Sequence, residues 1–404
     1  MKNSDKILVL RREDSYGNIS DNTSGFTLRR TSLNVNRSIE QTASNVISTS
    51  LQDTKIYNGR ESISLSVNSE LTPGSFSEII RSYTGRGFSK TQSLVTSDLT
   101  IVDNNNTTYS LYGFASTAGV TLGSICRLSG NAVLAVNKTN LIVTGVQVSS
   151  LTVRVLNNGS LTAQTGIVGS LDVVGARTYI PTHDNVKDSF TLESYAPNVS
   201  MLYSGLIVNN LSFKSSAYFC DFTADFVAQK LKQKGTSQVL TAVKQFSDNP
   251  VNIIDATLLI NNTVTYVTNF QIQCDKEIAT TENIASNNIT DFYVNKYTTT
   301  ASFTAALKDL TYENLLNQNV SITLVLAVDN TNSSEFIRFS LPNAKVTAVN
   351  QDDSSVLLTS FEVESTYLST GDIEDSTLII QQSSNSIWNW DDLDTWSDSN
   401  IWYD

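Results

Sequence analysis

Few residues of this chain combine the types and spacing that chemistry demands. The one histidine, His183, stands beside Asp184 in "YIPTHDNV" and would offer a base with its orienting carboxylate. Such a pair works only with a nucleophile or a metal and a pocket built from distant segments. Pro181 and Asn185 flank it, so the histidine reads as a solvated loop residue. Asp391-Asp392-x-Asp394 carries carboxylates for calcium but lacks the alternate oxygen positions and the closing Gly and Glu of a calcium loop. "TGRG" (84–87) has no Lys-Ser/Thr after it and reads as a hinge, not a phosphate cradle. Cys126, Cys220 and Cys274 are odd in number, widely spaced and free of CxxC. Two of them lie in strand-like apolar runs, "SICRL" and "YFCDF", where buried thiols are expected rather than a disulfide framework or zinc site. No catalytic, cofactor-binding or metal residue is expected, and an all-β enzyme is the function class the residues favour least.

What remains is the tail, "SIWNWDDLDTWSDSNIWYD". It holds all four tryptophans, Trp388, Trp390, Trp396 and Trp402, with Tyr403 beside the last. Their even numbering puts the indoles on one face of an extended strand, together with Asp392, Asp394, Asp398 and Asp404. A helix would scatter them around its axis. Tryptophan is enriched at interface hot spots, so an extended arm docking on a protein surface is expected.

The body that must carry this arm has 404 residues, 40% apolar and only 16% charged, with Ser, Thr and Asn supplying the polarity. That mixture suits pleated β-structure and enough core for several domains. Residues 351–404 hold twelve acids and no Lys or Arg, while the other 350 residues hold 27 acids against all 27 bases. A neutral body with an acidic end argues against wrapping nucleic acid, which needs basic patches. No run approaches the roughly 20 apolar residues of a membrane span, and the apolar run Ile7–Leu10 is too short for a signal segment. A soluble protein folded in a reducing cytoplasm is expected.

Residues 32–82 resemble residues 269–318. Leu33 and Val35 match Phe270 and Ile272, Ile56-Tyr57 match Phe292-Tyr293, and Val67 matches Phe303. "LTPGSFSEIIRS" falls on "LKDLTYENLLNQ". Each copy predicts a strand, a long polar loop (36–55 and 273–291), an alternating strand and a short helix. Ser75 and Thr311 are the expected N-caps, with Glu78 at capping-box spacing. Phe76, Ile79 and Ile80, matched by Tyr312, Leu315 and Leu316, form the packing face of the helix. "SFTLES" (189–194) then matches "SITLVL" (321–326), and Phe222 falls over Phe361. The first copy is about a hundred residues longer in between, and four alternating runs there predict an inserted small β-barrel or sandwich. The resulting division is an N-terminal arm (1–30), a first unit (31–85 and 188–240), an insertion (86–187), a second unit (250–368) and the acidic arm (369–404).

This order of elements resembles the tail tube proteins of long-tailed bacteriophages. The residues that carry the resemblance are "NSELTPGSFSEIIRSYTG" (68–85), "DSFTLESYAPN" (188–198), "SGLIVNNLSF" (204–213) and "RFSLPNAKV" (338–346). It implies a mainly β fold of duplicated β-sandwich or barrel units, each with a flanking helix, and no cofactor. It also implies a structural subunit of the virion tail, made in the host cytoplasm, whose rings stack into a channel for DNA. Implied partners are other copies, tape measure, tail terminator and baseplate proteins, and viral DNA passing without specific binding. Two units per chain make a ring of three chains with pseudo-sixfold symmetry the expected arrangement. The alternatives are a six-chain ring with one unit per chain, and a β-rich adhesin that docks a glycan through its tryptophans.

Overall fold

The computed structural model describes residues 6–19, 24–43, 56–90, 93–105, 107–156, 159–181, 187–242, 249–265, 267–282, 288–306, 313–316, 318–327, 335–352, 358–367 and 376–383. Nearly all regular structure is antiparallel strand, as the alternating apolar and hydroxyl residues require.

Two sandwiches share one topology. In the first, neighbouring strands run Ser32–Ala43, Ile56–Glu70, Cys220–Ala228, Val199–Ser215, Phe190–Ala196, Ile7–Arg12, Ser24–Thr27. In the second they run Val267–Glu282, Ile289–Ala306, Leu358–Ser365, Phe336–Asp352, Asn319–Ala327, Asn252–Ile260, Thr263–Thr265. Irregularities repeat as well. The long strand Val199–Ser215 bulges between Val208 and Asn210 against its neighbour, and Phe336–Asp352 bulges between Val346 and Ala348. On their other edges the register shifts between Phe190 and Leu192 and between Val320 and Ile322. Bulges are specific features of a fold, so their recurrence at matching positions marks a duplication.

The registers refine the sequence match. Leu33 faces Val67 and Phe270 faces Phe303, the equivalence read from sequence. In the next strand Val67 faces Ala224 while Phe303 faces Phe361, so Phe361 corresponds to Ala224 and not to Phe222. The error is two residues, which keeps the same face and so leaves the apolar alternation undisturbed.

Several expected boundaries move. The residues expected as an N-terminal arm hold Ile7–Arg12 and Ser24–Thr27, whose Leu8, Val9, Leu10 and Phe26 are buried in the first sandwich. The buried carboxylate of Glu13 anchors this segment. It accepts from Gly17 N (2.7 Å), Ser189 Oγ (2.6 Å), Thr191 Oγ1 (2.6 Å) and Gly205 N (2.8 Å), which satisfies both oxygens. Within the expected acidic arm, Ile379–Gln382 is a buried strand against Phe336–Asp352, in the place that Lys230–Gly235 takes in the first sandwich. Large parts of the expected polar loops are strand, up to Ala43 in one hairpin and Glu282 in the other.

The helix is Ser77–Thr84. Ser75 does not cap it: Phe76 holds the N-cap position and makes no side-chain cap. Phe76, Ile79, Ile80 and Tyr83 are buried, and Gly85 ends the helix in the left-handed conformation (φ 69°) that glycine adopts without cost. Among the described residues, the second copy shows the 3-10 turn Glu313–Leu315 at this place. There Leu315 is half-buried and Leu316 exposed, while Thr311 and Tyr312 lie outside the described residues.

The insertion closes a six-stranded barrel in the order Ser150–Val155, Thr108–Tyr112, Ser93–Asp103, Gln164–Val173, Ile125–Ser129, Asn140–Val146. Closure removes every sheet edge. Its core includes Leu99, Ile101, Tyr109, Leu128, Leu141, Val153 and Leu171. Although inserted into the first unit, the barrel sits on the second: Ile125, Ile142 and Leu156 pack with Leu259, Val325 and Phe336. Its stem strand Ala176–Tyr179 pairs with Ile379–Gln382, which pairs in turn with Phe336–Asp352 of the second unit. A polar plug seals the joint. Gln381 accepts from Ile125 N (3.2 Å) and donates to Ile125 O (3.1 Å) and Val174 O (2.7 Å), while the buried Arg338 donates to Gln381 (3.1 Å) and Leu122 O (2.9 Å).

Candidate assembly interface

A single sheet runs through both units. The edge residues Asn210–Lys214 of the first unit pair with Gln271–Asp275 of the second. Eight strands are thereby joined, from Ser32–Ala43 at one end to Phe336–Asp352 at the other. One face of this sheet is the common apolar core, with Val67, Phe222, Phe213, Ile272, Phe303 and Phe361 pointing inward.

The other face is mainly polar, with Val227 opposite Ser64 and Ala348 opposite Glu362 as apolar exceptions. Ser62, Ser64, Ser66, Asn68, Thr223, Ser212, Gln271, Gln273, Thr300, Ser302, Thr304 and Ser360 alternate with the core residues and are half-buried or exposed. Many are tied to one another: Ser38 to Ser62 (2.7 Å), Thr223 to Asn68 (2.7 Å), Thr304 to Ser360 (3.0 Å), and Asn210 to Asp275. Charges that the register puts on this face include Glu40, Glu70, Asp221, Asp225, Asp275, Glu277, Glu362 and Glu364 against Arg60, Lys214, Lys296 and Lys345, a net negative balance. Such a surface offers a phosphate backbone few free donors and a repulsive field.

The seam between the units is sealed by a buried cation. Lys276 donates to Ser82 O in the last turn of the helix (3.0 Å), where a positive charge also meets the helix dipole. Its amine lies 5.6 Å from the ring centre of Tyr297 and 6.0 Å from that of Tyr83, and the two rings meet edge to face at 5.6 Å. Burial pulls the Lys276 amine down to about 8, against the attraction of Asp188, and burial pushes both phenols up. Nearer the tip of the hairpin, Tyr16 packs on Phe292 (5.3 Å) and Gln229 donates to Ile289 O (2.8 Å). Lys187 binds Asp291 (3.1 Å) and lies over Tyr293. The Asp291 carboxyl is held low, first by the backbone N–H of Phe292 and then by Lys187.

Of the residues singled out in the sequence, Phe76, Ile79 and Ile80 come together at the helix beside this seam. Trp388, Trp390, Trp396, Trp402, Tyr403, His183 and Asp391 lie outside the described residues. The three cysteines are buried and free, and burial pushes their thiols up, that of Cys126 to about 12. Lys276, Tyr297 and Tyr16 were missed. A signal for Lys276 existed: the alternation Phe270, Ile272, Cys274 continues into it, within a stretch that composition alone marks as polar loop.

A family model described as phage tail tube protein matches residues 3–188 and matches again at residues 180–365. The two matches meet at the end of the insertion, whereas by strand pairing the first sandwich is completed by residues 190–235. No curated protein matches the chain.

Proposed function

The chain belongs to the phage tail tube protein family, as a virion structural protein with two tandem tube units, and from that premise we propose that three copies close each ring of the tube. The observation that carries this reading is the in-chain junction. Two units of one topology are already joined edge to edge in one sheet, which is how adjacent units of a ring would meet. Six units per ring then need three chains.

In this ring the polar, net-acidic face of the eight-stranded sheet lines the channel, and viral DNA passes along it without binding. The protein catalyses nothing; its work is to hold a rigid, non-adhesive wall. The polar stretches 36–55 and 273–291 reach the neighbouring ring, and the barrel at 86–187 decorates the outer surface. The indoles of Trp388, Trp390, Trp396 and Trp402 dock on another copy. Tape measure, terminator and baseplate proteins meet the ends of the stack, and assembly takes place in the host cytoplasm.

The test is polymerisation of the purified chain followed by negative-stain microscopy. Hollow tubes one ring wide, appearing above a threshold concentration, are expected. A chain that stays monomeric at high concentration, with neither ring nor tube in any preparation, would overturn the proposal. Trp388→Ala with Trp390→Ala should weaken tubes, and unchanged tubes would assign the arm to an outside partner.

A further inference from the structure

The two ends of the sheet are counterparts of the two edges that already meet inside the chain. The shared bulge makes Asn210 the counterpart of Ala348, and the facing pairs Leu33–Val67 and Phe270–Phe303 make Asp275 the counterpart of Ser38. Among the described strands, Ser32–Ala43 pairs only with Ile56–Glu70, and Asn319–Ala327 stops pairing with Phe336–Asp352 at Lys345. Among the described strands, the in-chain pairing Asn210–Lys214 with Gln271–Asp275 therefore has no second instance within the chain.

Side-chain burial points the same way. Ile272 is 0% and Lys276 5% exposed, both covered at the seam. Their counterparts Val35 and Ile39 are 38% and 43% exposed on a strand of otherwise polar surface. On the other end, Leu316 is 39% exposed where its counterpart Ile80 is 1%. Each end of the molecule thus shows apolar residues that the internal junction hides.

We propose that residues 348–352 of one copy pair antiparallel with residues 34–38 of the next, Ala348 opposite Ser38 and Asn350 opposite Asn36, burying the next copy's Val35 and Ile39 against the Glu313–Leu315 turn and Leu316 of the copy that supplies residues 348–352. The occupant is a second copy of this chain because the strand edge that pairs at the internal seam recurs in the second unit, with the Glu313–Leu315 turn where the first unit has its helix. This head-to-tail contact uses different edges on its two sides, so it propagates until the ring closes. It rests on the tail tube reading and adds to it the contact residues and their register.

Cysteine pairs test it directly. Asn36→Cys with Asn350→Cys changes two exposed positions, and the three native thiols are buried. Tubes of this variant, oxidised and run without reductant, should give covalent trimers, as should the adjacent rung Ser38→Cys with Ala348→Cys. The out-of-register pair Ser38→Cys with Asn350→Cys should link at least tenfold less. Tubes in which neither in-register pair links, or in which the shifted pair links equally, overturn the register. Ile39→Asp should leave a folded chain, by circular dichroism, that forms no tube; tubes from this variant overturn the burial. If the unaltered chain itself never assembles, the tail tube reading fails instead.

Discussion

Lys276 gives the seam between the two units a measurable pH signature. Its amine is buried, held by Ser82 O at 3.0 Å, and pulled from 10.5 to about 8 by desolvation. A base whose folded value is depressed costs stability while it is charged. Between pH 8 and 10.5 the unfolded chain binds more protons than the folded one, so this group's contribution rises with pH and is lost as pH falls through about 8. Lys276→Met keeps most of the apolar stem and deletes the titration. It also deletes the hydrogen bond to Ser82, worth about 1–3 kcal/mol for a charged donor, so the sign of the difference at neutral pH is a near balance. The pH dependence is not a balance. Each pH unit in this window is worth about 1.4 kcal/mol, and the wild-type advantage over Lys276→Met should grow by about 2–3 kcal/mol between pH 7.5 and 10. The buried thiols and phenols titrate in both chains and cancel. Urea unfolding of the unassembled chains, followed by circular dichroism at several pH values, measures this difference. A pH-independent difference would mean that water reaches the amine and that the seam is not sealed.

Three further outcomes follow from buried groups. Gln381→Leu strips partners from Ile125 N, Ile125 O, Val174 O and Arg338 at once, and should cost about 3–5 kcal/mol. Limited proteolysis should then cut the stem of the barrel first, and a wild-type cleavage pattern would contradict the plug. Gly175→Ala forces a side chain into a positive-φ position (78°), where its Cβ would lie 1.9 Å from Gln382 O; a thermal midpoint unchanged within about 1 °C, against the several degrees expected for about 1–3 kcal/mol, would refute the close approach. Native protein should show no reactive thiol toward iodoacetamide at pH 8 and three after unfolding, because burial raises all three; rapid native labelling would place a thiol at the surface.

The β class and the repeat were legible because period-2 alternation survives substitution. Leu33–Val67 and Phe270–Phe303 share no identities, yet they preserve the apolar face and its register. The two-residue slip at Phe222 has the same origin, since alternation fixes which face a residue takes and not its position along the strand. Strand ends were harder to read. Residues 36–41 and 277–281 look like loop because they are polar, but they are strand residues that stay half-buried or exposed and need no apolar face there. The docking of the barrel on the second unit was illegible, because it rests on Gln381 and Arg338, separated from Ile125 by more than 200 residues. The open ends of the sheet carried no sequence signal of their own. They emerge only when Val35 and Ile39 are compared with their buried counterparts Ile272 and Lys276.

The symmetry of the assembled tube is the most direct test of a ring built from fused units. Cryo-electron microscopy should show strict threefold symmetry with six similar units per ring, an inner wall of continuous sheet, and three barrels on the outside. Six chains per ring related by strict sixfold symmetry, with six barrels, would contradict it.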